Sequence, residues 1–143
     1  MASLAKPGIG KPIPAVTPDM AGFYEGARRG QLMVERCDHC GTLRFPAHDM
    51  CASCLAAGAK WVPVSGRGEV YSFNIMHQVY HPAFAAEVPY AVIVVKLEEG
   101  PKFISNLVGI KPHEIKIGMP VEVTFERASD EVMIPKFRPR ARA

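Results

Sequence analysis

Long apolar runs are missing from this sequence. The longest, Tyr90 to Val95 (YAVIVV), is about a third of the roughly 20 residues a membrane-crossing helix needs, so no membrane span is expected. A signal-peptide core is missing too: Pro and Gly interrupt every apolar stretch of MASLAKPGIGKPIPAV, which predicts a cytoplasmic protein. Catalytic signatures are equally scarce. There is no G-x-S-x-G, no complete P-loop and no H-E-x-x-H, and Gly8-Ile9-Gly10 lacks the third glycine of a dinucleotide fingerprint. Nor is there much net charge. The total is +3, and once Lys136, Arg138, Arg140 and Arg142 near the end are set aside, 13 basic residues face 14 acidic ones. A near-neutral body lacks the footprint of a protein that neutralises many phosphates.

What remains is an ordinary globular composition: 143 residues, 48% hydrophobic and 22% charged, enough for one core and too short for two large domains. Pro7, Pro12 and Pro14 with Gly8 and Gly10 make residues 1–16 an extended arm. Thr17-Pro18 reads as a helix start, with the Thr hydroxyl as cap and Pro at the first helical position. Met20, Phe23, Tyr24 and Ala27 then share one helical face, read as core packing, and Gly30 ends the helix. From Trp61 the pattern turns to strands over 69–77, 90–97, 102–108 and 121–126, punctuated by Pro89 and Gly100-Pro101. Val70, Ser72, Asn74 and Met76 alternate with Tyr71, Phe73, Ile75 and His77, as in a strand with two unlike faces. Five or so short strands predict a mainly β fold with a small barrel. The expected division is 1–16 arm, 17–60 helix and metal-binding ribbon, 61–137 barrel, and 138–143 basic tail.

All four cysteines fall in two C-x-x-C pairs, Cys37-Asp38-His39-Cys40 and Cys51-Ala52-Ser53-Cys54, separated by ten residues. Each pair can fold as a knuckle, and four thiolates in a tetrahedron suit Zn²⁺, with iron accepted in the same geometry. Disulfides do not fit a chain without a secretion signal, and a redox pair does not fit a second pair so near. A closed Cys₄ site leaves no position for water or substrate, so the metal is expected to be structural. Gly41 supplies a left-handed residue after the first knuckle; Leu55 stands in its place after the second, which predicts a less regular second knuckle. Arg36, Arg44 and Lys60 are near enough in sequence to offset the thiolate charge, and His39 and His48 are expected to be spectators.

The order of motifs is distinctive: FYEGARRGQL, CDHCGTLRFP…CASC, a tryptophan-led strand, GRGEVYSF, VPYAVIVVKLEEGPKFISNLVG, IKIGMPVEVTFE and IPKFRP. Over about residues 20–139 it resembles the rubredoxin-like zinc-ribbon plus OB-fold proteins associated with acyl-CoA enzymes, the family catalogued as domain of unknown function thirty-five. The resemblance implies an N-terminal helix, a zinc ribbon and a five-stranded OB barrel. It also implies an accessory subunit, partnered with thiolase-like, acyltransferase or aldolase-like chains, that helps hold a CoA thioester. The residue inventory agrees, since thiolase chemistry needs an activated cysteine and this chain has none to spare.

Read in that light, Lys136, Phe137 and Arg138 are candidate CoA contacts, two cations for phosphate and a ring for adenine; the plainer alternative is that Phe137 caps the last strand. Docking surfaces are expected at the arm, at Arg44-Phe45-Pro46 and at the HQVYHPAF segment. A single-stranded nucleic-acid-binding module is the alternative function, and it calls for aromatics interleaved with Lys or Arg on the barrel. A stand-alone enzyme built on His77 or His81 would need a nucleophile that the motifs do not offer.

Overall fold

The computed structural model describes residues 10–141; residues 1–9 and 142–143, which hold most of the expected arm and the cationic Arg142, lie outside the described residues. A 3₁₀ turn over Pro18–Met20 leads into helix α1, Ala21–Arg28. Thr17 precedes that turn as expected but its hydroxyl makes no capping bond; its carbonyl accepts from the Met20 N–H at 3.0 Å instead. Gly30 closes the helix, its N–H returning to the Ala27 carbonyl while the Gln31 N–H returns to that of Gly26. Phe23 and Ala27 are buried, and Met20 and Tyr24 pack beside them on the core, which is the face the periodicity predicts.

Strands β1 (Leu32–Cys37), β2 (Leu43–Arg44) and β3 (Ala59–Val64) form a three-stranded antiparallel sheet in the order β2-β1-β3. β1 and β3 pair along their whole length, from Leu32↔Val64 to Cys37↔Ala59. Trp61 thus lies on the last strand of this sheet, and the barrel strands begin at Arg67. These are β4 (Arg67–Met76), β5 (Tyr90–Leu97), β6 (Lys102–Leu107), β7 (Pro120–Arg127) and β8 (Met133–Pro139). They close in the order β4-β5-β6-β8-β7, all neighbours antiparallel except β6 and β8. This is the five-stranded OB barrel. Its last strand extends to Pro139, so Arg138 belongs to the sheet rather than to a tail.

The alternation expected in β4 holds only as far as Val70. A bulge between Val70 and Ser72 inserts one unpaired residue, so the inward set passes from Gly68 and Val70 to Phe73 and Ile75. An extra residue in a period-two strand reverses every face after it.

One core joins the modules. The Phe23 ring from α1 meets Phe45 of the ribbon at 5.0 Å between centroids and Phe103 of β6 at 6.0 Å. Phe45 and Phe103 are 4.5 Å apart, and Phe103 passes the contact on to Phe137. α1 approaches β3 closely enough that a Cβ on Gly22 would overlap the Trp61 ring. The helix thus gives up helical propensity at Gly22 for contact with a rigid indole.

Candidate functional site

The two C-x-x-C segments fold alike. In the first, the Gly41 N–H donates to the Cys37 carbonyl at 3.0 Å and the Cys37 N–H to that of Thr42 at 2.9 Å. The second repeats this pattern, with Leu55 N–H to Cys51 and Cys51 N–H to Ala56, both at 2.9 Å. Gly41 has φ 75° and Leu55 φ 64°. The expectation of an irregular second knuckle is corrected: the turn imposes the left-handed conformation on Leu55, whose side chain is 69% exposed and therefore sterically free to accept it.

These turns bring four sulfurs to one point. Cys37 and Cys54 Sγ are 3.7 Å apart, Cys40 and Cys51 Sγ 3.6 Å, and all four lie within 4.8 Å of one another. A tetrahedron with Zn–S bonds of about 2.3 Å has sulfur–sulfur edges of roughly 3.8 Å, whereas a disulfide bond is about 2.05 Å. The donor set therefore fits one tetrahedral ion, and Cys37, Cys40, Cys51 and Cys54 would hold it. His39 and His48 stand outside the cluster.

The environment already favours thiolate at one corner. The N–H groups of Cys54 and then Ser53, the latter 3.4 Å away, point at the Cys51 sulfur and pull its thiol down to about 6. A bond to the Thr42 hydroxyl at 3.0 Å lowers Cys40. At Cys54 the Ala56 N–H acts downward but is outweighed by desolvation and the three neighbouring sulfurs, which hold the thiol up to about 11. Crowded thiolates repel one another, and a bound dication supplies the positive charge and four bonds that offset this repulsion.

Of the three cations expected near the cluster, Arg44 makes two side-chain bonds within the ribbon. Its Nε donates to Glu35 Oε2 at 2.8 Å and its Nη2 to the His48 carbonyl at 2.7 Å. The Glu35 hydrogen bond raises its pKa first, and the charges of Glu35, Cys51 and Cys37 add to this. Lys60 pairs with Asp38 at 3.4 Å. Arg44 and Phe45, expected at a docking surface, are instead occupied internally, Phe45 within the aromatic junction.

The candidate CoA residues separate by the period of β8. Phe137 is fully buried in the barrel core, so its assignment as an adenine contact is corrected: it points inward and closes the core. Lys136 and Arg138 flank it, with Lys136 Nζ 2.9 Å from Glu126 and Arg138 Nε 3.1 Å from Glu122. In the loop between β4 and β5, Tyr80 is exposed, and His81 Nδ1 accepts the Ala83 N–H at 3.1 Å, capping the turn Pro82–Phe84. That bond makes His81 a structural cap. The outward face of β5 and β6 carries Val92, Val94 and Ile104, with Lys102 set against the Tyr71 ring at one end. Among the described residues no helix is long and apolar enough to cross a membrane.

Residues 25–58 match the family model described as the ChsH2 rubredoxin-like zinc ribbon domain, and residues 61–126 match the ChsH2 C-terminal OB-fold domain. The chain is 42% identical over 134 residues to a probable enoyl-CoA hydratase alpha subunit of Thermomonospora curvata, covering 94% of this chain but 41% of that protein. It is 30% identical over 115 residues to the benzoylsuccinyl-CoA thiolase subunit BbsA of Thauera aromatica, covering 79% and 76% of the two chains. Among solved structures it superimposes on a chain of the Ltp2-ChsH2(DUF35) aldolase with a TM-score of 0.80 and 42% identity, over 89% of this chain and 98% of that one.

Proposed function

Because the chain belongs to the ChsH2-type DUF35 family, a zinc ribbon joined to an OB barrel, we propose that it is a non-catalytic subunit of a hetero-oligomeric acyl-CoA enzyme acting in the cytoplasm. Its partner is a thiolase-like or aldolase-like chain that supplies the reacting groups. The observation that carries this reading is the fate of the cysteines: the sequence has four, and all four converge on one metal position. Thioester acyl transfer through a cysteine requires a thiolate free to attack, and here the partner provides it. The relatives support the reading, one named as a hydratase subunit, one as a thiolase subunit and one as part of an aldolase.

The relatives named as subunits of a hydratase and a thiolase that act on CoA thioesters favour this reading over single-stranded nucleic acid, although the outward face of β5 and β6 carries Lys96 and Lys102 beside Val92, Val94 and Ile104. Sharing of the CoA thioester with the partner is part of the proposal. Lys136 and Arg138 would reach its phosphates only by giving up Glu126 and Glu122. The test is co-expression with a thiolase-like or aldolase-like chain encoded beside this one in its genome. Copurification as one species through size exclusion is expected. Elution as separate chains, with an oligonucleotide bound to this one, would overturn the reading.

A further inference from the structure

The segment between β4 and β5 is ordered without being buried. Every residue from 77 to 89 is at least partly exposed. Bonds within the segment hold its shape: the Phe84 N–H donates to the His81 carbonyl at 3.0 Å and the Glu87 N–H to that of Phe84 at 2.9 Å, and the His81 ring caps the turn they enclose. Two contacts fasten it to the rest of the chain. The Phe84 ring stands against Tyr90 at the start of β5, with centroids 6.3 Å apart, and Glu87 Oε2 meets Lys11 Nζ of the arm at 2.8 Å. A segment with internal hydrogen bonds and little buried surface can open as one unit at low cost.

Lys11 has one carboxylate on this loop and one on the barrel. Besides Glu87 it stands 3.9 Å from Glu126 of β7 and 5.6 Å from the Phe84 ring centroid. The hydrogen bond to Glu87, opposed by desolvation and joined by the charges of Glu87 and Glu126, holds the ammonium above its usual pKa, so it stays charged at neutral pH. Glu126 is also held by Lys136 at 2.9 Å, whereas Lys11 is the one ionic partner of Glu87 among the described residues. Departure of Lys11 therefore leaves the barrel carboxylate paired and the loop carboxylate alone. We propose that Lys11 is an ionic latch: seated on Glu87 it fastens the β4–β5 loop beside the barrel face of Tyr90, Val92 and Ile104, and shifted onto Glu126 it lets the loop swing from that face as one body. Loop and face already bound a common cleft. The Lys11 and Glu87 side chains are 43% and 38% exposed, and a bridge of that kind is weak. Weakness makes the latch reversible, where an enclosed pair would lock the loop. The latch is independent of which enzyme the subunit joins.

The test places fluorotyrosine at the four tyrosines of the full chain and follows them by fluorine NMR relaxation dispersion. Tyr80 and Tyr90 report the loop, while Tyr24 and Tyr71 serve as internal references. Lys11→Met is expected to raise the open population seen at Tyr90 roughly three- to tenfold, the size of one exposed ion pair with a cation–π contact. Glu87→Gln should act alike, and the two together should add little to either alone. Lys11→Arg keeps the loop fastened. Raising sodium chloride from about 20 mM to about 1 M should open the wild-type loop and barely affect Lys11→Met, because screening acts on the charge that the variant lacks. A Tyr90 signal that is the same in wild type and Lys11→Met, equal movement of all four tyrosines, or a salt response that persists in full in Lys11→Met would each overturn the latch.

Discussion

Glu35 on β1 and Arg44 on β2 form an ion pair of 2.8 Å in which each side chain is only 11% exposed. The His48 N–H donates to the same Glu35 oxygen at 3.3 Å, so the pair ties β1 to the chain leading into the second knuckle. Glu35→Gln leaves the guanidinium desolvated without its counter-ion. The expected destabilisation is about 2 kcal/mol, below the roughly 3–5 kcal/mol of a fully enclosed pair because the ribbon is thin. Urea denaturation of Glu35→Gln, Arg44→Gln and the double variant checks this, and the double variant should lose less than the two singles together. Strict additivity would contradict the pairing.

Leu55 occupies a left-handed position with its side chain in solvent. Leu55→Gly should therefore stabilise the ribbon by about 1 kcal/mol, the relief of left-handed strain less the added freedom of the unfolded chain. Gly41→Ala should do the reverse by a similar amount. Thermal unfolding of the two variants reads the pair, and matching signs would show that the knuckles are not equivalent.

Gly22→Ala tests the helix contact. Propensity alone favours the substitution by about 1 kcal/mol at an exposed helical site. Against the Trp61 ring the added methyl has no room, so a net loss is expected, with a changed Trp61 fluorescence spectrum, Trp61 being the sole tryptophan. A rise in stability with unchanged fluorescence would mean that α1 sits farther from β3.

Metal content is the fourth check. Purified protein should carry close to one zinc per chain, and Cys37→Ser should lose metal and solubility together, because ligation and folding of such ribbons are linked. Full occupancy by iron would keep the geometry and change the ion. A soluble, well-folded protein with neither metal would contradict the site.

Much of this was legible because its signals are local. Two C-x-x-C pairs ten residues apart announce a tetrahedral site before any fold is known, and the runs at 90–97 and 102–108 carry their own punctuation. What the sequence hid depends on partners distant along the chain. β1, with Leu32, Met33, Val34 and Glu35 all buried, has no alternation to read, because Leu32 and Val34 join the shared core while Met33 packs on Gly26 of the helix and Glu35 is covered by Arg44. The bulge at Val70 to Ser72 has no marker in residue type. Phe137 admitted two readings, a ring between two cations or a cap on the last strand, and only the inward step of β8 decides for the core. Glu35, the counter-ion of Arg44, had only its place among apolar neighbours as a signal.

The central claim is that this chain supports acyl-CoA chemistry without performing it. Thioester turnover measured on the purified chain alone, on the catalytic partner alone and on the assembled complex tests that claim most directly. The chain alone should show no turnover above background, while the complex exceeds the partner alone. Robust turnover by the isolated chain, abolished by substitution within it and independent of any partner, would contradict the account.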